Sequence, residues 1–322
     1  MAHLVEKMTR SSDTNQSWHG LENVIPHDAP FDDWFLHSGL NYKVLRSKVR
    51  YATSRDADST QEYCTMDDRH VLFRSDTLAP LAVVSEDYRI VQPKQVLEFF
   101  RSFAEKNELM MDTAGVLAGG KRVWALARTG AEVNIGSRDT VKQYILLATS
   151  YDTSMATIAK HTSVRVVCNN TLTLAANNAE SSIRIPHSAV FDATAVQLDL
   201  GLLTEDFTEF GVMAGIMHDI KITNPTTAAR WYAELLKERE VTDAEFAELM
   251  DNRVLKGLMT SYHRGVGAEA TLWGWINGCT YTIDHIRGRG YDTRMSSAWF
   301  GQGDTLKQKA WAKALNLVEA TA

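Results

Sequence analysis

Cysteine is scarce in this chain of 322 residues: Cys64, Cys168 and Cys279 lie more than a hundred residues apart. An odd, dispersed set of three excludes a disulfide framework and a clustered thiolate metal site, and it fits a reducing compartment. A basic excess is also missing. Thirty-four Lys and Arg face forty Asp and Glu, so the formal charge is -6 and no global field draws in nucleic acid or an anionic membrane. Any such contact must be local. No stretch approaches the roughly 18 uninterrupted apolar residues of a spanning helix, and the first twenty residues lack the apolar centre of an export signal. The chain is therefore expected to be a cytoplasmic protein that makes no use of a membrane. H-E-x-x-H, G-x-S-x-G and Cys-x-x-Cys are all absent, which leaves zinc and nucleophilic-serine chemistry without support. No cofactor is expected.

What is present divides the chain into an N-terminal arm and short helix (1–41), a sheet-containing core domain (42–185) and a helical region (186–322). Trp18 is the expected anchor of the arm. Phe31, Trp34 and Phe35 stand at helical spacing ahead of Gly39, a residue suited to a helix C-terminus. From Tyr42 to Val91 β-branched and aromatic runs predict strands at 42–51, 70–74 and 81–84. Pro93 opens a helix to Lys106 whose apolar face is Val96, Leu97, Phe99, Phe100 and Phe103. Four further strands follow at 113–117, 122–128, 142–149 and 155–167, and Ile183–Pro186 could add a last one. After Asn169 the pattern turns helical, with a Thr242-Asp-Ala-Glu245 capping box and helices expected at 228–239, 244–258, 271–287 and 305–319. The expected class is α+β: a mixed, mainly antiparallel sheet in the first half and a mainly helical second half.

Gly115-Val-Leu-Ala-Gly-Gly120-Lys121 fills the first seven positions of a phosphate-binding loop, but Arg122 stands where the magnesium-holding hydroxyl belongs and a strand follows instead of a helix. A turn between strands is the expected reading. Asp284 and His285, adjacent on a helix, point about 100° apart and make no dyad. The strongest polar constellation runs from Lys121 to Asn170, where Lys121, Arg122, Arg128, Arg138, Lys142, Lys160 and Arg165 face three carboxylates. Trp124 and Tyr144 are interleaved with them. Cations neutralise phosphates and rings stack bases, so Lys121, Arg122, Trp124, Arg128, Lys142, Tyr144, Lys160, His161 and Arg165 are the candidate residues for single-stranded nucleic acid. Between Asp192 and Asp251, by contrast, thirteen acidic residues outnumber four basic ones.

Arg122-Val-Trp-Ala-Leu-Ala-Arg128 and Thr162-Ser-Val-Arg-Val-Val-Cys-Asn-Asn-Thr-Leu172 resemble the phage/plasmid-like protein family, a domain of unknown function found in bacteriophages, prophages and plasmids. The resemblance takes in Trp18-His-Gly-Leu21, Tyr88-Arg-Ile-Val-Gln92 and Trp273–Arg287 with Ser297-Ala-Trp-Phe-Gly-Gln-Gly303. Two departures stand out: Glu22 replaces a usual glycine, and Tyr151-Asp-Thr-Ser replaces His-Asp-Gly-Ser. The resemblance implies a mobile-element origin and carries over no site residue. In outline, a β-rich core followed by helices is also similar to the phage single-strand annealing proteins of the RecT and Red-beta type. Three functions remain in play: an oligomeric phage accessory protein holding single-stranded DNA in recombination or replication; an enzyme with a polar pocket around Lys160, His161, Asn169 and Asn170; and a module that meets a host protein through its acidic helices.

Overall fold

The computed structural model describes residues 5–12, 23–53, 62–105, 109–137, 139–165, 171–173, 182–201, 205–263, 270–288 and 291–321. Trp18, Arg138, Cys168, Asn169 and Asn170 lie outside them. The expected α+β class holds. One sheet follows the order β10-β9-β8-β7-β6-β1-β2, with β11 pairing β9 off that path, and a second has the order β3-β4-β5. The strands of the two sheets are β1 (Val5–Ser11), β2 (Asn23–Ile25), β3 (Val44–Ala52), β4 (Tyr63–Arg74), β5 (Pro80–Ser85), β6 (Met110–Leu117), β7 (Arg122–Ile135), β8 (Asp139–Ser150), β9 (Thr157–Arg165), β10 (Thr171–Thr173) and β11 (Ser182–Ile185). β1 runs parallel to β2 and antiparallel to β6, so the large sheet is mixed. The short connection from β7 to β8 leaves room only for an antiparallel turn.

The chain divides into two compact units, neither continuous in sequence. The first comprises Met1–Ala127, Leu146–Ala159 and Ile183–Gln197; the second comprises Arg128–Ile145, Lys160–Ser182 and Leu198–Ala322. The N-terminal arm supplies β1 to the sheet, where Met8 on one face and Thr9 and Ser11 on the other are all buried, so this strand is covered on both sides.

In the first unit, α1 (Phe31–His37) buries Trp34 and hands over to Gly39 at φ +80°, the conformation a helix end favours in glycine. α2 (Pro93–Glu105) buries Val96, Leu97, Phe99 and Phe100, as its spacing requires. Val123 to Ala127 are buried without interruption, which marks a strand covered on both faces. The glycine-rich stretch is a single 3-10 turn, Ala118–Gly120. Gly120, at φ +93°, lies so close to Arg74 that a Cβ would come within 2.8 Å of its Cδ, and its carbonyl accepts from the Tyr42 hydroxyl at 3.0 Å. The turn thus closes on protein side chains.

The second unit carries most of α3 to α10: α3 (Ala193–Gly201), α4 (Glu205–Asp219), α5 (Pro225–Lys237), α6 (Asp243–Leu249), α7 (Arg253–His263), α8 (Leu272–Tyr281), α9 (Tyr291–Phe300) and α10 (Gln302–Thr321). α3 begins in the first unit and ends in the second. Thr242 and Glu245 form the expected capping box. The single helix expected over 244–258 is two, α6 and α7, and the one expected over 271–287 ends in a π turn, Thr282–Ile286. Trp273, Ile276, Thr280 and Ile283, spaced by three, four and three residues, are buried, but so is every residue from Leu272 to Thr280, so α8 is enclosed all round and not on one face alone. Phe210 stacks on Trp311 with centroids 5.0 Å apart and meets Trp273 edge-on at 6.0 Å.

Candidate nucleic-acid interface

The residues singled out between Lys121 and Arg165 meet different fates. In the first unit, Lys121 is half-buried behind the 3-10 turn, and Arg122 donates from Nε and Nη2 to Ser154 Oγ at 3.2 and 3.0 Å. Trp124 is 0% exposed. In the second unit, Arg128 and Lys142 are half-buried and Tyr144 is buried. Lys160 is buried too: its Nζ donates to Asp304 Oδ2 at 3.0 Å and to the Trp299 carbonyl at 3.2 Å. His161 lies between Gln143 Nε2 at 3.1 Å and the Leu200 carbonyl at 3.0 Å. Since the amide donates to Nδ1, the ring carries its proton on Nε2 and gives it to that carbonyl. The side chain of Arg165 lies outside the described residues. Buried rings present no face to a base, so the stacking expected of Trp124 and Tyr144 has no exposed platform there. Lys160 and His161 already hold the second unit together.

The combination sought in that segment occurs instead on the β3–β4 hairpin of the first unit. β3 reads Val44-Leu-Arg-Ser-Lys-Val-Arg-Tyr-Ala52, and β4 pairs with it from Val44↔Arg74 out to Ala52↔Tyr63, with a register shift after Lys48. Strand side chains alternate, so Arg46, Lys48 and Arg50 share one face. All three are exposed. The pairings Arg50↔Thr65 and Ala52↔Tyr63 place Tyr63, 59% exposed, on that face diagonally across from Arg50. Near the body of the unit the face is closed by buried Val44, His70, Leu72 and Arg74; farther out it is open. Lys48 meets Asp67 at 3.0 Å, a pair exposed at 55% and 87% and so easily exchanged for another anion. Arg46 donates from Nη1 to the Glu86 carbonyl at 3.3 Å, which commits one of its five donors. The alternation of Arg46, Lys48 and Arg50 is the sequence signal for this face, and a net charge over tens of residues does not register it.

The opposite face of the hairpin is largely apolar, interrupted by Ser47 and by Arg69 paired with Ser85. Val49 pairs with Met66, Tyr51 with Cys64 and Val71 with Val83; Leu45, Tyr51, Met66 and Val83 are exposed. At the root of the hairpin lies a cavity of about 290 Å³ lined by Arg46, Tyr88, Arg89, Ile90, Val91, Gln95, Val190 and Phe191. His187 braces its wall. The imidazole stacks on Tyr88 with centroids 4.4 Å apart, and its nitrogens lie 3.2 Å from the Arg89 carbonyl and 3.1 Å from that of Met155. Tyr88 donates its hydroxyl to the Ser150 carbonyl at 2.8 Å, and burial holds its proton on well beyond the usual phenol range.

Among the described residues, no group of three His, Cys, Asp or Glu could hold a metal ion, and no helix is long and apolar enough to cross a membrane. Comparison with curated proteins and with solved structures returns no match. A family model does match, from Pro80 to Trp311, so it covers more than half of the chain, including the cavity's Tyr88–Gln95 and Val190–Phe191. With that span matched, the chain belongs to the family described as Domain of unknown function (DUF932).

Proposed function

We propose that this protein holds single-stranded nucleic acid on the basic face of the β3–β4 hairpin and serves recombination or replication of a phage or plasmid in the bacterial cytoplasm. The observation that carries the reading is the row Arg46, Lys48, Arg50 with exposed Tyr63 beside it. Residues two apart on a strand advance about 6.6–6.8 Å, comparable to the phosphate step of an extended single strand. Arginine and lysine there neutralise successive phosphates while the tyrosine ring stacks a base. A net negative chain restricts binding to this local site, since the remaining surface repels the strand at a distance. The phage or plasmid setting comes from the sequence resemblance. The exposed, largely apolar face behind the basic row supports a homo-oligomer along the strand, since an uncovered sheet face of this kind favours association.

The experiment is fluorescence anisotropy of a labelled oligonucleotide across a salt series, for wild type and for Arg46→Ala/Lys48→Ala/Arg50→Ala. Each lost phosphate contact should lower the salt slope by roughly 0.7, and Tyr63→Ala should cost about 1–3 kcal/mol with the slope unchanged. A wild type that ignores the oligonucleotide at low salt would end this reading.

A further inference from the structure

We propose that the cavity at the root of the hairpin receives the phosphorylated terminal nucleotide of a bound strand, with the terminal phosphate between Arg46 and Arg89 and the base against Phe191. The proposal deepens the reading above and rests on it for the strand; the cavity itself is argued from its own lining. Arg46 belongs to both features. It is the innermost cation of the row Arg50, Lys48, Arg46 and also a wall of the cavity, so a strand laid along the row is led into the pocket.

The lining then selects what arrives. Arg89 is exposed, and among the described residues its guanidinium has no ion-pair or hydrogen-bond partner. Its backbone, in contrast, is fixed: the amide donates to the His187 carbonyl at 2.6 Å, and its own carbonyl faces the His187 ring. An uncommitted guanidinium on an anchored backbone is available for a bidentate contact with phosphate. A terminal phosphate monoester carries more charge and more free oxygens than an internal diester, so two arginines distinguish an end from the middle of a strand. The remaining wall is mostly apolar, made by Tyr88, Ile90, Val91, Val190 and Phe191, with Gln95 as its polar member, its Oε1 accepting from the Gln92 amide at 2.7 Å. Phe191 lies against Phe99 of α2, with centroids 6.3 Å apart, which steadies its ring. A bare anion makes no use of such a wall, whereas a nucleotide covers it with its base. The size, about 290 Å³, is at the small end of ligand sites and suits one nucleotide.

The test uses the full chain and three forms of one oligothymidine: 5′-phosphorylated, 3′-phosphorylated and hydroxyl at both ends, with thymidine 5′-monophosphate titrated separately by calorimetry. One phosphorylated form should bind on the order of tenfold tighter than the hydroxyl form, as a charged hydrogen-bonded contact warrants. Arg89→Ala should erase that preference and abolish mononucleotide binding, while the salt slope of the hydroxyl form stays unchanged. Val190→Trp serves as a second variant. Val190 is 77% exposed at the cavity, so the fold tolerates the change, while the indole fills the space and should erase the same preference. Equal affinity for all three oligonucleotides, or a preference that survives both variants, overturns the cavity assignment and leaves the hairpin reading standing. Loss of all oligonucleotide binding with Arg89-dependent mononucleotide binding retained would overturn the hairpin and keep the pocket.

Discussion

Lys307 Nζ lies 2.9 Å from Asp284 Oδ1, and the two side chains are 1% and 0% exposed. Removing one partner strands a charge where water cannot reach it. Lys307→Ala should therefore cost about 3–5 kcal/mol, read as a shift in the urea midpoint. Lys307→Met with Asp284→Leu should lose less than the single variant, because no ion is left uncompensated. Equal losses would show that the charges themselves do not matter.

Trp273 combines burial with a specific bond. Its Nε1 donates to Asp139 Oδ2 at 2.7 Å, and both residues are buried within the second unit. Trp273→Ala should cost about 3–5 kcal/mol through lost packing. Trp273→Phe keeps most of the volume but leaves the carboxylate without its indole donor, at about 1–3 kcal/mol. Denaturant unfolding of both separates the two contributions, and a midpoint unchanged in Trp273→Ala contradicts the burial.

The start of α6 should weaken in acid. The Arg239 guanidinium and the amide and hydroxyl of Thr242 hold the Glu245 carboxyl down to about 2, from 4.5. A depressed value in the folded state means stabilisation that is complete above the unfolded value and is lost as pH falls from about 4.5 toward 2. Glu245→Gln should lose that pH dependence and match the acid wild type. Melting temperatures of the two proteins between pH 5 and 2.5, which should converge, are the measurement.

The two described thiols should differ in reactivity. Cys64 is exposed on the hairpin; Cys279 is buried in α8, and burial pushes its thiol well up, so little thiolate forms at neutral pH. In a Cys168→Ser background, native protein should promptly displace one equivalent of chromophoric thiolate from an aromatic disulfide reagent, and a second only in denaturant. Prompt reaction of two would show that the α8 core opens readily.

The sequence made the elements legible where a local period sets them. α2 followed from Pro93 and its apolar face, and the Thr242–Glu245 box from four adjacent residues. The candidate site was less legible because long-range partners decide it. Lys160 is neutralised by Asp304, 144 residues away, and no local count of charge registers that. Trp124, flanked by Val123 and Ala125, sits in a strand buried on both faces, where alternation gives no warning. The hairpin's basic face was readable in Arg46, Lys48 and Arg50, but only once a strand assignment is applied to individual charges. The cavity needed the fold, since Arg46, Arg89 and Phe191 are brought together from distant segments.

The chain crosses between its two units after residues 127, 145, 159, 182 and 197. No single cut can therefore separate the two, and a cut anywhere between Arg128 and Gln197 divides both. The order of synthesis is nevertheless asymmetric. Every residue of the unit bearing the hairpin and its cavity has been made once Gln197 has, whereas the helical unit lacks part of its core until the ribosome has passed Val318. A nascent chain can thus complete the proposed binding surface while the helices that bury Trp273 are still being translated.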